Sequence, residues 1–165
     1  MDELERLTTA FVAQGADRLQ LIRELESEGG DRALTFLASV AASEDHEDYV
    51  RVEALKAVRV WGACAPEVAQ NVGAILGRTI RSGDVDVVRG FAGMALSRFF
   101  ANPGGFEALQ SVVSDPREDE DVRHNALDAL EHHMTDPRVQ KLMNTLAEEP
   151  GSIGSAARRR SSSGR

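Results

Sequence analysis

EDVRHNALDAL, residues 120–130, occurs in three related copies along the chain. DYVRVEALKAV at 48–58 and DVVRGFAGMAL at 86–96 align with it without gaps. The arginines of the shared valine–arginine pair are 38 and 34 residues apart. A period of this length is typical of stacked helical hairpins. The sequence therefore predicts a repeat protein that is built from pairs of helices.

The residues that the three copies share fall on one side of an α-helix. Counted from the valine, alanine recurs at offsets 4 and 7, and an aliphatic residue follows at offset 8. At 3.6 residues per turn these positions form one stripe, which we expect to be buried. The predicted structural residues of the repeat are Val50, Arg51, Ala54, Val88, Arg89, Ala92, Val122, Arg123 and Ala126.

Each copy is preceded by another amphipathic segment, at 32–43, 66–80 and 105–115. No segment shows the sustained alternation of a strand, so the predicted fold class is all-α. We expect one domain over 1–150, with repeats at 31–62, 66–100 and 104–133. A helix at 136–149 would begin a fourth unit that is never completed and would cap the stack. One or two helices within 3–26 would close the other end.

Residues 32–146 resemble the HEAT-repeat family, and in particular its bacterial HEAT-like branch. The resemblance rests on the valine–arginine pairs, the spaced alanines and the segment SDPREDEDVRHNALDAL at 114–130. It implies a short right-handed α-solenoid of stacked antiparallel helix pairs, whose second helices line a concave, partner-binding side. It also implies a polar ladder in which Arg51, Arg89 and Arg123 pair with acids of adjacent turns.

Charge is unevenly distributed along the chain. The net charge is −8, yet residues 151–165, GSIGSAARRRSSSGR, contain four arginines and no acid. The other 150 residues therefore carry −12, which disfavours binding to a phosphate backbone and favours a basic partner. Because 151–165 is poor in hydrophobic residues and rich in Ser, Gly and Arg, its composition predicts a disordered tail. Nucleic acid would be bound only through this tail.

The predicted location is the cytoplasm. The single cysteine, Cys64, cannot form an internal disulfide, which favours a reducing compartment. The first residues, MDELERLTTAFV, carry acids where a secretory signal needs basic residues. No stretch approaches the roughly 20 apolar residues that span a bilayer, so no membrane association is expected.

A metal site is the first chemical hypothesis, because His124, Asp128 and His132 are spaced four residues apart. Three ligands in line span about 12 Å of helix, so one ion could reach at most two, with help from a residue such as His46. A HEAT-like di-iron branch uses His–Glu pairs, and the corresponding dipeptide here is His124–Asn125. We therefore expect no metal, no cofactor and no catalytic residue.

The outward side of the second helices is the remaining candidate. Offsets 2, 6, 9 and 10 from the repeated valine lie opposite the stripe and mix apolar with charged residues. Alternatively, an N-terminal helix or the tail covers these apolar positions. The predicted partner-binding residues are Val52, Lys56, Arg59, Val60, Phe91, Met94, Arg98, His124, Asp128, Glu131 and His132.

The leading functional hypothesis is a non-catalytic protein-binding module that acts as a scaffold, an adaptor or a cognate inhibitor of the immunity type. Its partner is expected to be a basic protein. One alternative is a relative of the HEAT-like bilin lyases or of their chaperone-like relatives. The other is a nucleic-acid-associated protein that acts through the Arg-rich tail.

Overall fold

The computed structural model of the chain describes residues 2–163, and all regular secondary structure in this range is helical. The prediction of an all-α fold is therefore confirmed. A short 3₁₀ helix at Ser97–Phe99 follows α6. The α-helices are α1 (Glu3–Phe11), α2 (Arg18–Glu28), α3 (Gly30–Ala42), α4 (Asp48–Arg59), α5 (Pro66–Ile80), α6 (Asp86–Leu96), α7 (Gly105–Val113), α8 (Glu120–Glu131), α9 (Pro137–Leu146) and α10 (Gly151–Ser163).

Local sequence signals determine where several of these helices begin. Asp2 accepts a hydrogen bond from the backbone N–H of Glu5, and the Glu5 carboxylate accepts one from the backbone N–H of Asp2. This reciprocal capping box starts α1. The Asp119 carboxylate accepts from two backbone N–H groups in the first turn of α8. Pro66 is the first residue of α5, where its missing N–H leaves no hydrogen bond unmade.

The helices pack as successive pairs, with each odd-numbered helix against the even-numbered helix that follows it. Even-numbered helices also contact one another in chain order, from α2 to α10. The odd-numbered helices do the same from α1 to α7. Helix α9 contacts α7 through Arg138, whose guanidinium lies 4.6 Å from the centre of the Phe106 ring. The outward sides of α4, α6 and α8 therefore lie side by side.

The small residues of the repeated stripe let the helices approach closely. All nine residues predicted to be structural are buried, including the three arginines. Gly93 on α6 shows how tight the packing is, since a Cβ atom there would lie 2.8 Å from Cδ1 of Ile80. The core continues through the successive helix pairs without a break into separate clusters.

The expected disordered tail at 151–165 differs from the structure, in which Gly151–Ser163 forms α10 and packs against α8 and α9. Residues 164 and 165 lie outside the described range. The composition of residues 151–165 was misleading because it does not show on which side of a helix the few apolar residues fall. Ile153, Ala156 and Ala157 are buried on one side of α10, and the serines and arginines occupy the rest of its surface.

Helix α10 pairs with α9, the helix that the sequence predicts to stand alone as a cap. Aligned with residues 120–130, the segment 151–161 places Ile153 at the valine position and Ala157 at the alanine position. Gly154 replaces the arginine. A side chain at Gly154 would collide with the carbonyl oxygens of Glu149 and Leu146, so glycine lets α10 pack against the end of α9.

Within residues 2–163, no helix is both long enough and apolar enough to cross a membrane.

Candidate functional site

The buried arginine Arg51 connects two consecutive helix pairs. Its Nε donates to the carbonyl oxygen of Ala41 at the end of α3, 3.0 Å away. Its two terminal nitrogens donate to the two carboxylate oxygens of Asp84, in the turn before α6. This hydrogen-bonded ion pair lowers the pKa of Asp84 below its usual value.

The same arrangement recurs in the next two helix pairs. The arginine, the helix-end carbonyl and the loop acid are Arg89, Ile80 and Glu118, and then Arg123, Val113 and Glu149. In each case the acid precedes the next even-numbered helix by two residues. The three arginines thus hold successive helix pairs in register. Their guanidinium groups donate hydrogen bonds to other groups of the same chain.

A fourth contact of this kind was missed in the sequence. Arg18 donates from Nη1 to Glu47 at 3.0 Å and from Nε to the Phe11 carbonyl at the end of α1, at 3.5 Å. It is the first residue of α2, whereas Arg51 is the fourth residue of α4. The one-turn shift removes Arg18 from the valine–arginine alignment. Its signal in the sequence is an arginine 33 residues before Arg51, one residue short of the smaller repeat spacing of 34.

The eleven predicted partner-binding residues will be called the even-helix face. None of them is buried. Exposed members are Lys56, Arg59, Val60, Arg98, Glu131 and His132, and partly exposed members are Val52, Phe91, Met94, His124 and Asp128. The helix phase read from the repeat therefore matches the observed exposure of these side chains.

Five of these residues come together around one groove. Arg59, Met94, Asp128, Glu131 and His132 line it, together with Ala129 and with Arg160 from α10. The groove has a volume of about 370 Å³ and lies where α4, α6, α8 and α10 meet. Residues that are more than 70 positions apart in the sequence thus form one concave site.

The α4–α6 part of the face carries exposed apolar side chains. Val60 is 67% exposed. Tyr49 and Val87, at 60% and 51% exposure, were missed by the sequence analysis. Each stands one residue before the repeated valine and three or four residues before Val52 or Phe91, so each extends the face by one helical turn. Both lie inside the aligned copies, so counting the outward positions backwards from the repeated valine as well as forwards would have found them.

A contact between α4 and α6 crosses this apolar region. The Nζ of Lys56 lies 5.6 Å from the centre of the Phe91 ring, within the range of a cation–π interaction. The same ammonium is 3.1 Å from the Glu53 carboxylate. Lys56 is therefore held across the two helices while remaining exposed.

The α8 part of the face is occupied by α10, which corrects the expectation of an open surface there. Arg160 donates from Nε to Glu131 at 2.7 Å and from Nη2 to Asp128. Ser152 donates to Glu120, and its hydroxyl lies 3.2 Å from Nε2 of His124. The alternative was that an N-terminal helix or the tail covers the outward apolar positions, yet Val60 is 67% exposed and α10 packs on the charged and histidine-bearing α8 instead.

Arg98 was expected to be free for a partner, and the structure corrects this as well. Its Nε donates to the carbonyl oxygen of Trp61 and its Nη2 to that of Gly62, both at 2.9 Å. It therefore ties the end of α6 to the chain that follows α4. His133 has a comparable position after α8, where its Nε2 lies 2.9 Å from the Ser97 carbonyl oxygen. Burial lowers the pKa of His133.

Ser152, His124 and Glu120 bring together the residue types of a hydrolytic triad, but with a different geometry. In a triad the acid holds the ring nitrogen that faces away from the serine. Here Glu120 accepts directly from the Ser152 hydroxyl, and its carboxylate lies 3.9 Å from the same His124 nitrogen that faces the serine. The three groups act as a hydrogen-bonded contact between α8 and α10.

Two other candidate sites are a metal-binding cluster and the Cys64 thiol. In the described part of the chain, no three His, Cys, Asp or Glu side chains converge to hold a metal ion. The pKa of the Cys64 thiol is raised by burial and by the nearby Asp31, which favours the neutral thiol over the reactive thiolate.

No protein-family model matches this sequence, and no curated protein matches it at a significant level.

Proposed function

We propose that this chain is a non-catalytic protein-binding module, acting as a scaffold, an adaptor or a cognate inhibitor, and that its even-helix face is the docking surface. The observation that carries the proposal is the exposure of apolar side chains at the starts of α4 and α6 and just after the end of α4. Tyr49, Val60 and Val87 lie outward on helices whose opposite sides are committed to the core.

We also propose that the helices form a short right-handed α-solenoid of the HEAT-like type. The sequential packing of the pairs and the repeated arginine contacts between them support this arrangement. In such a stack each unit contacts only its neighbours, and the second helices form one continuous surface. A continuous surface of this kind suits the binding of another protein.

The chemistry of the face supports a partner that contributes both apolar and basic groups. Exposed aromatic and aliphatic side chains in a cluster mark interaction sites on folded proteins. The net charge of −8 favours association with a basic partner, at a rate that falls as salt screens the attraction. With α10 packed on the body, its arginines offset part of the −12 of the first 150 residues.

The contacts of α10 give little support to nucleic-acid binding through the terminal arginines. Arg160 is paired with Asp128 and Glu131, and Arg158 donates to the carbonyl oxygen of Ala147. Cations that are engaged inside the protein contribute less to binding a phosphate backbone, because each contact must first be broken.

Affinity capture from the native host, followed by mass spectrometry, tests the proposal. The bait is the full chain, as wild type and with Tyr49→Ser and Val87→Ser combined. The matched control is Val12→Ser, since Val12 is 68% exposed at the end of α1 and lies on neither α4 nor α6. We expect the double variant to lose a partner that the wild type and the control retain. Equal retention by all three baits would exclude the α4–α6 face as the docking surface.

A further inference from the structure

We infer that Asp128 and Glu131 form a guanidinium-binding notch for an arginine-bearing segment of a partner, and that α10 fills this notch with Arg160 when no partner is bound. This inference rests on the proposed function, because it assigns a ligand chemistry to the α8 part of the same face.

The geometry of the notch is specific for a guanidinium. Asp128 and Glu131 are three residues apart on α8, so their carboxylates are neighbours on one side of the helix. Arg160 reaches Glu131 with Nε and Asp128 with Nη2, and its side chain is only 18% exposed. Two carboxylates that accept from two edges of one planar group match arginine better than lysine, whose ammonium is a point charge.

The anchor that holds α10 is small compared with those of α4 and α8. Its buried apolar side chains are Ile153, Ala156 and Ala157, two of which are alanines. Each of α4 and α8 buries five apolar side chains along a similar length. The free energy that seats α10 therefore depends more on its polar contacts, with Arg160 prominent among them, and such contacts exchange readily for equivalent ones from a partner.

The notch opens onto the rest of the binding surface. Asp128, Glu131 and Arg160 line the same groove as Met94 of α6 and Arg59 of α4. A segment that places an arginine between the two carboxylates can therefore continue along the groove towards Met94 and Arg59. Helix α10 uses only the α8 end of this path.

A peptide that copies α10 provides a probe of known chemistry. The probe is acetyl-AARRRSS-amide, the sequence of residues 156–162, and the matched peptide has glutamine at the position of Arg160. Binding to the full-length protein is measured by titration calorimetry at low salt and by NMR shifts of the amides of residues 128–132. The protein variants are wild type, Arg160→Gln, and Arg160→Gln combined with Asp128→Asn and Glu131→Gln. Arg158→Gln is the control, because Arg158 contacts a backbone carbonyl and no carboxylate.

In the Arg160→Gln variant the two carboxylates are no longer neutralised from within the chain. We expect this variant to bind the arginine peptide at least about tenfold more tightly than the wild type or Arg158→Gln, because the competing internal group is gone. The gain should disappear with the glutamine peptide and in the triple variant. Equal affinity of wild type and Arg160→Gln, or a gain that survives in the triple variant, would overturn the inference.

A second measurement tests directly whether the contacts of Arg160 hold α10 on α8. Asp128→Asn with Glu131→Gln in the otherwise wild-type chain should increase amide hydrogen exchange of residues 151–163 and leave α4 and α6 unchanged. Unchanged exchange in α10 would show that Arg160 does not hold it on α8, which contradicts the inference. Neither measurement uses the native partner, so a failure here is distinct from a failure of the test with Tyr49 and Val87.

Discussion

Arg51 and Asp84, 33 residues apart in the chain, meet in a two-pronged ion pair across the boundary between two helix pairs. The Arg51 side chain is 2% exposed and that of Asp84 is 8% exposed. Because the third guanidinium contact is the carbonyl end of α3, one side chain of α4 links the loop before α6 to the end of α3. Loss of either partner would leave a buried charge without its counterpart.

Replacement of this arginine should destabilise the protein strongly. For Arg51→Met we expect a loss of about 3–5 kcal/mol in the free energy of unfolding, because Asp84 would stay buried and unpaired. Urea denaturation monitored by circular dichroism measures this loss in the free energy of unfolding. The matched control is Arg18→Met, whose ion pair with Glu47 is exposed and should contribute at most about 1 kcal/mol. Equal losses for the two variants would contradict a structural role that depends on burial.

The acids that pair with these arginines should make stability depend on pH. Hydrogen bonding from Arg51 lowers the pKa of Asp84, and hydrogen bonding from Arg89 lowers that of Glu118. A carboxyl whose pKa is lower in the folded state stabilises the protein above its unfolded pKa, about 4. That contribution is lost as the pH falls through the folded pKa.

Comparison of the wild type with Asp84→Asn isolates this effect. At pH 7 the variant should be less stable by about 1–3 kcal/mol, and the difference should shrink as the pH falls below about 4. Thermal unfolding between pH 3 and pH 7 gives both curves. Asp115→Asn is the control, since Asp115 pairs with Arg117 within one exposed loop. A difference that stays constant down to pH 3 would show that Asp84 is not the titrating group.

The small residues of the stripe should resist enlargement. Ala92 is fully buried on α6, so Ala92→Leu should lower the free energy of unfolding by about 1–3 kcal/mol through overpacking. Met94→Leu, two residues along the same helix but on its outward side, should cost about 1 kcal/mol or less. Chemical denaturation of both variants compares them directly. A neutral Ala92→Leu would mean that the helix phase is wrong.

The packing of α10 should be visible in solution. Ile153 is buried against the preceding helices, so Ile153→Ser should lower stability by about 2 kcal/mol and reduce the helical signal in far-ultraviolet circular dichroism. Val60→Ser removes an aliphatic side chain of similar size from an exposed site and should change stability by no more than about 0.5 kcal/mol. An Ile153→Ser protein with unchanged stability and helical signal would show that residues 151–163 do not dock.

Much of the architecture follows from patterns within single helices. The repeated valine and alanine spacing predicted which side of α4, α6 and α8 is buried, and also that the eleven residues of the even-helix face are not. These predictions succeed because helical periodicity is a local property, set by the geometry of one turn. The same logic would have included Tyr49 and Val87 had the outward positions also been counted backwards from the repeated valine.

Contacts between segments distant in the chain lie beyond such patterns. Nothing local to Arg51 selects Asp84 from among the chain's 27 acidic residues, and nothing local to Arg98 selects the carbonyl of Trp61. The segment 151–163 has a disordered composition in isolation, yet it forms a helix where Ile153, Ala156 and Ala157 meet α8 and α9. Periodicity therefore suffices for the helices and their buried sides, whereas ion-pair partners, covered surfaces and the last helix depend on free energies that arise only when separate helices pack together.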